Sequence, residues 1–227
     1  TYAFVYYLNI LYRYKNNRWE EIDSGTSLRL SISKQMRGLY NRKGSYSLCD
    51  FASSPGDTTA NIEEDPSVEK NRAIKMMGIS CRLANTSDKK NIMTEAKELF
   101  YDGTFLEKMD TNPYLLCFNN GVIDFKDKCF RKGHPEDIIS LCTNIDYVPL
   151  NPSKHKKNID EINDFMHKLF PDDALCKYMW EHLASTLIGT SANQTFNMYI
   201  GIGSNGKSVL MNLMEKVLGQ YKGDVPT

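Results

Sequence analysis

No C-x-x-C pair occurs anywhere in the chain, and none of its four histidines stands at zinc-ligand spacing from a cysteine. The six cysteines, Cys49, Cys81, Cys117, Cys129, Cys142 and Cys176, lie scattered in apolar surroundings instead. They are expected as reduced core residues, neither a disulfide frame nor a metal site. Neither sign of charge is in excess: Lys plus Arg and Asp plus Glu number 28 each, and the sequence pI is 6.8. Any contact with nucleic acid must therefore come from a local patch. No apolar run approaches the roughly 20 residues of a membrane span, and the Tyr-rich N-terminal stretch has neither the basic flank nor the cleavage pattern of a signal peptide. These absences point to an intracellular protein with no membrane partner, in which the sequons at Asn85 and Asn193 are chance matches.

One stretch near the carboxy end carries specific chemistry. The apolar run Phe196 to Ile200 reads as a buried strand, Gly201 to Ser208 fits G-x-x-x-x-G-K-S, and a helical pattern follows directly. This is the Walker A pattern. Gly201, Gly203 and Gly206 carry no Cβ, so successive backbone amides can turn inward as an anion nest, with Ser204 and Asn205 completing the loop. The helix that begins near Gly206 adds its unsatisfied N-terminal amides. Lys207 is expected on the β- and γ-phosphates and Ser208 on Mg²⁺, so the implied ligands are ATP and Mg²⁺.

The rest of the chain reads as alternating hairpins and helices. Tyr2 to Tyr14, a turn at Lys15 to Arg18, and Trp19 to Ile22 predict a β-hairpin. Leu28, Ile32, Met36 and Leu39 predict an amphipathic helix over Thr26 to Arg42 that ends against Gly44, with a basic side of Arg29, Lys34, Arg37, Arg42 and Lys43. A loop follows from Cys49 to Asp65, then a helix opened by Asp65-Pro66 and another opened by Ser87 or Asp88. A second hairpin is predicted through Asn119-Asn120-Gly121, with the Asn-Gly pair supplying positive φ, and short strands continue through Cys129-Phe130 and Ile138 to Val148. Asp124 and Asp127 fit turn chemistry better than a carboxylate pair. The polar stretch 151–157 reads as a linker, and two helices follow it, Asn158 to Phe170 and Pro171 to Ile188. His167 and His182 fall on these helices with no nucleophile or metal partner beside them. Gly219 is expected to stop the last helix.

The fold class is therefore α+β: a mixed helical and hairpin domain over 1–150, the linker 151–157, and over 158–227 a helical pair joined to the first strand, loop and helix of a P-loop domain. Hydrolysis also needs a carboxylate strand for Mg²⁺, a residue that positions water, and usually an arginine. The few residues after the last helix do not supply them, so the chain is expected to be a fragment that turns over no ATP by itself.

Leu115 to Phe125 with its Asn-Gly-Val-Ile-Asp segment, Gly133-His134-Pro135-Glu136-Asp137, Asp146-Tyr147, Gln194-Thr195-Phe196 leading into Gly201 to Ser208, and Leu218-Gly219-Gln220-Tyr221 together resemble the poxvirus-type primase-helicases. These belong among the superfamily 3 helicases of large DNA viruses, phages and plasmids. The resemblance implies a domain preceding a hexameric AAA+ helicase motor, self-association, single-stranded or forked DNA as partner, and residence in the host cytoplasm or a viral replication compartment. The 1–150 domain would then act as an assembly collar. The family's primase carboxylates, second Walker motif, arginine finger and DNA loop have no counterpart here. Two other readings fit the residues: a DNA-binding or oligomerisation module that works without ATP, and a P-loop kinase, which the position of the loop at the end of the chain disfavours.

Overall fold

An Asn-Asn pair between two aromatic-rich runs sets the first turn. Asn16 and Asn17 sit at φ 51° and 65°, the left-handed pair that a two-residue hairpin turn needs, and they join β2 (Ile10–Lys15) to β3 (Arg18–Ile22). In the computed structural model, residues 2–5, 10–22, 25–52, 66–190, 195, 197–201, 203 and 205–223 are described. The long strand expected over Tyr2 to Tyr14 is two: β1 (Tyr2–Val5) pairs antiparallel with β2, placing Val5 opposite Ile10. The architecture is α+β, with two three-stranded antiparallel sheets and the remainder helical or irregular.

The chain divides into two compact units, residues 2–13 with 21–103, and residues 14–20 with 104–227. The first is helical around an apolar core of Leu11, Ile22, Leu28, Ile32, Leu83, Met93 and Ala96. Its leading helix does not stop at Gly44, as the sequence suggested. α1 (Thr26–Ser31) passes through a π turn at Ile32–Met36 into α2 (Arg37–Ala52). The π turn inserts an extra residue and shifts the later apolar positions off the buried face, so Leu28 and Ile32 are buried while Met36 and Leu39 are exposed. Gly44 serves packing: a Cβ there would meet Met77 Cγ at 3.3 Å and the Ala73 carbonyl at 3.5 Å on α3 (Pro66–Ala84). Small residues, Gly44, Ala73 and Ser80, let the two helices approach, and the Ser80 hydroxyl donates to Asn41 across the contact. The expected cap Asp65 lies outside the described residues. α4 (Thr86–Leu99) is capped two positions before Ser87, by Asn85, whose side chain accepts from the Ser87 amide at 3.0 Å.

The second unit opens with the short α5 (Phe105–Lys108) and the sheet β4 (Leu115–Phe118), β5 (Gly121–Asp124) and β6 (Cys129–Arg131), with β5 central. The turn residues are Asn119 and Asn120, and neither they nor Gly121 has positive φ. Gly121 is instead forced by crowding, since a Cβ would fall 2.5 Å from Phe130 Cζ and 2.6 Å from the Arg131 carbonyl. The strands expected between Ile138 and Val148 do not form. Ile138 and Asn144 take φ 47° and 61°, which breaks any extended run. Isolated bonds hold the segment to β4, from the Thr143 amide to the Cys117 carbonyl at 2.9 Å and from the Asn119 amide to the Ile145 carbonyl at 3.0 Å.

Residues 152–155 form turns that lead into α6 (Lys156–Leu169), so the last two positions of the expected linker are helical; α6 packs with α7 (Asp173–Ser185) around Met166, Cys176, Met179 and Leu183. α8 (Lys207–Leu218) joins this core through Leu210, 1% exposed. Of the cysteines expected in the core, Cys117, Cys142 and Cys176 are buried, whereas Cys81 and Cys129 are exposed because α3 and β6 turn those positions outward.

Candidate functional site

Gly206, at φ 81°, caps α8, a backbone position that side chains with a Cβ rarely adopt, and Leu169 Cδ1 would lie 3.1 Å from any Cβ placed there. The first amides of a helix have no partner within it, and those of α8 follow directly on the loop. Lys207 is the first residue of α8. Its ammonium donates to the Asn205 Oδ1 at 2.7 Å and to the Gly201 carbonyl at 3.0 Å, drawing the two ends of the loop together around one positive charge. Gly201 permits this, because a Cβ there would overlap the Asn205 amide nitrogen and stand 3.0 Å from Lys207 Nζ. Gly203 borders open space, and Ser208 lies exposed on the first helical turn. Of the residues singled out in the motif, Gly201, Asn205, Gly206 and Lys207 are thus brought together, with Ser208 one residue further along the helix. Ser204 lies outside the described residues.

The strand expected ahead of the loop is not formed. Phe196 lies outside the described residues, and 197–200 take no part in a sheet, with Ile200 86% exposed. A buried strand needs neighbours on both edges, and among the described residues both sheets are built from earlier parts of the chain.

The loop opens into a cleft of about 620 Å³. It is lined by the polar Asn205, Lys207 and Ser208 and by apolar residues that include Leu169, Phe170, Leu175, Tyr199, Leu210 and Met211. These apolar residues read in the sequence only as positions of helices and strand, and nothing in their spacing marked them as lining a site. Burial and the neighbouring Tyr178 both push the Tyr199 hydroxyl above its ordinary value, so it stays neutral at physiological pH. His182 lies between the two rings, stacked on Tyr178 at 6.1 Å and 6.2 Å from Tyr199. Among the described residues no carboxylate lines the cleft. Chemically, the arrangement offers an ammonium and a hydroxyl to an anion within a cleft that is otherwise largely apolar.

The C-terminal end of α8 is fixed as firmly as its start. Gly219 takes φ 57°, and a Cβ on it would fall 2.5 Å from the Thr143 carbonyl carbon. Gln220 Oε1 accepts from the Cys142 amide at 2.9 Å, and the Gln220 amide donates to the Cys142 carbonyl at 3.0 Å. The Tyr221 hydroxyl accepts from the Cys117 amide and donates to the Leu141 carbonyl, both at 3.1 Å. Burial pushes that hydroxyl well up, and pushes the Cys117 thiol up to about 12 with Cys142 beside it. A thiol so placed is no nucleophile at neutral pH.

The Asn-Gly-Val-Ile-Asp segment and the Gly-His-Pro-Glu-Asp segment meet in a structural clamp. Asp124 accepts from the Lys126 and Asp127 amides at 3.0 and 3.2 Å, the turn chemistry expected for it. Arg131 bridges it, at 3.3 Å, to Asp137, which it grips through two bonds of 2.8 Å. Asp137 also accepts from the His134 amide at 2.8 Å. Burial raises the Asp137 carboxyl, but the Arg131 guanidinium and the His134 amide outweigh it and hold the group below the ordinary range. Among the described residues no group of three His, Cys, Asp or Glu could hold a metal ion, and no helix is long and apolar enough to cross a membrane.

Against known proteins, residues 2–186 match the family model described as D5 N terminal like. A protein of Acanthamoeba polyphaga mimivirus named "Putative helicase" is 34% identical over 214 residues, which is 94% of this chain and 21% of the relative. One of Invertebrate iridescent virus 3 with the same name is 31% identical over 150 residues, 66% of this chain and 15% of the relative. An African swine fever virus protein named "Putative primase" is 32% identical over 145 residues, 62% of this chain and 15% of the relative. The chain spans between 15% and 21% of the length of these relatives.

Proposed function

Since the chain belongs to the D5 N-terminal-like family of viral helicase and primase relatives, we propose that it is a part of an ATP-dependent DNA helicase of primase-helicase type that works in viral DNA replication. The observation that carries this reading is the loop at Gly201 to Ser208, with Lys207 on the first turn of α8 beside Asn205 and the Gly201 carbonyl. ATP enters with its phosphates over the loop. The amides around Gly201, Gly203, Ser204, Asn205 and Gly206 cradle the oxygens, Lys207 leaves its neutral oxygen partners for the β- and γ-phosphates, and Ser208 ligates Mg²⁺. A charged phosphate oxygen is the stronger acceptor, which drives that exchange. The chain by itself binds nucleotide and does not turn it over, because in-line attack on the γ-phosphate calls for a carboxylate beside the metal and none lines the cleft among the described residues.

The first 150 residues act as the assembly collar of a hexameric ring, with 151–157 as the link to the motor. There, ATP hydrolysis between subunits changes the angle of neighbours and moves single-stranded or forked DNA. Support for a DNA-facing role comes from α1 to α2, where Arg29, Lys34, Arg37, Arg42 and Lys43 are all exposed and no acidic residue precedes Asp50. The same helix favours a second reading, a module that binds DNA or assembles without ATP. The test combines nucleotide titration with sedimentation. The unaltered chain is expected to bind Mg²⁺-ATP, and Lys207→Ala to weaken binding about 10–100-fold. Unchanged affinity in the variant defeats the nucleotide role of the loop, and assembly on DNA that is indifferent to ATP supports the second reading.

A further inference from the structure

We infer that the apolar part of the cleft bordered by the phosphate loop, formed by Phe170 at the end of α6, Leu175 on α7, and Tyr199, is the seat of the nucleoside base. The inference rests on the nucleotide reading of the loop and extends it to the half of the ligand that the motif does not address. Three observations carry it. The cleft is continuous, so Lys207 and Ser208 border the same space of about 620 Å³ as Phe170, Leu175 and Tyr199, a volume within the range of small-molecule sites. Its lining sets the apolar Phe170, Leu175 and Tyr199, with Leu210 and Met211 of α8, alongside the polar Asn205, Lys207 and Ser208, and a nucleoside triphosphate likewise joins a flat ring to charged phosphates. Leu175 is 45% exposed in spite of its apolar character, whereas its helix neighbours Cys176 and Met179 are buried. The Tyr199 ring lies tilted against His182 at 6.2 Å, and His182 in turn stacks on Tyr178, so an aromatic side chain borders the cleft without a charge of its own. A lining of this kind grips the faces of a base and leaves its hydrogen-bonding edge unread.

Titration calorimetry of the full chain with two probes, ATP and inorganic tripolyphosphate, each with Mg²⁺, separates base from phosphate. Leu175→Ser and Tyr199→Ala are expected to weaken ATP about tenfold each, in line with the loss of one base contact, and to leave tripolyphosphate unchanged. Lys207→Ala is expected to weaken both probes. ATP affinity that persists in both lining variants, or an equal loss for both probes, overturns the base seat while the nucleotide reading stands. ATP affinity that persists in Lys207→Ala, or no binding by the unaltered chain, overturns the nucleotide reading and the base seat with it.

Discussion

Arg131 holds two aspartates at once, and the pair it grips most closely makes the fold acid-sensitive. The Asp137 carboxyl titrates below its ordinary value in the folded chain. The folded state therefore binds fewer protons than the unfolded state as pH falls, and the stability that Asp137 contributes is fully present above the ordinary carboxylate range. It is lost as pH drops from about 4 through the depressed value. Asp137→Asn is expected to cost about 2 kcal/mol at pH 7, since it removes charge-assisted bonds to a guanidinium, and to flatten the fall in stability below pH 4. Urea melts at pH 7 and pH 3 read both effects, and a variant that keeps the parent's acid slope contradicts the assignment. The sequence showed Asp124 as a turn residue and showed nothing of this clamp, because Arg131 and Asp137 become partners only when β6 and the turn after it are in place. Glycines were equally mixed. Gly206 and Gly219 have the positive φ that their positions beside a helix suggested, whereas Gly44 and Gly121 are required by neighbours that no local pattern reveals.

At the scale of elements, helices were legible where an apolar stripe met a single core, as in α6 and α7, and failed where geometry changed inside the run, as at the π turn before α2. The two early hairpin turns were found, but the strands after β6 were not, because main-chain bonds made one at a time replace a ladder there. The apolar residues that share the cleft with the motif were not legible as a group, since they come from α6, α7 and the stretch before the loop. α8 holds the loop's lysine through two anchors, Leu210 in the helical core and Gly219 to Tyr221 against Cys117 and residues 141–143. Leu210→Ala is expected to cost about 2–5 kcal/mol by leaving a cavity. Gly219→Ala is expected to destabilise as well, through both positive φ and collision with the Thr143 backbone. Chemical denaturation measures the two costs. Should Gly219→Ala match the parent, the second anchor has no energetic role.

For the whole molecule, the division of the chain into compact units is not a division in sequence. Residues 14–20 belong with 104–227, and their contacts state why. Trp19, 5% exposed, packs edge-on against Phe105 at 4.9 Å. Its indole donates to the Pro135 carbonyl at 2.9 Å and its amide to the Ile139 carbonyl at 2.7 Å. Asn17 accepts from the Gly133 amide at 3.1 Å and donates to the Asn119 carbonyl at 3.2 Å. A chain cut to 104–227 keeps every residue of the cleft yet loses this hairpin tip, exposing Phe105 and stranding the groups at Gly133, Pro135 and Ile139. Loss of one large aromatic alone costs about 3–5 kcal/mol, so the shortened chain is expected to melt well below the full one. Trp19→Ala in the full chain is expected to reproduce most of that loss while leaving the cores of 21–103 and α6 to α8 intact. Calorimetric melting of the three proteins decides the matter: if 104–227 melts with the full chain, the hairpin tip has no energetic role in its unit.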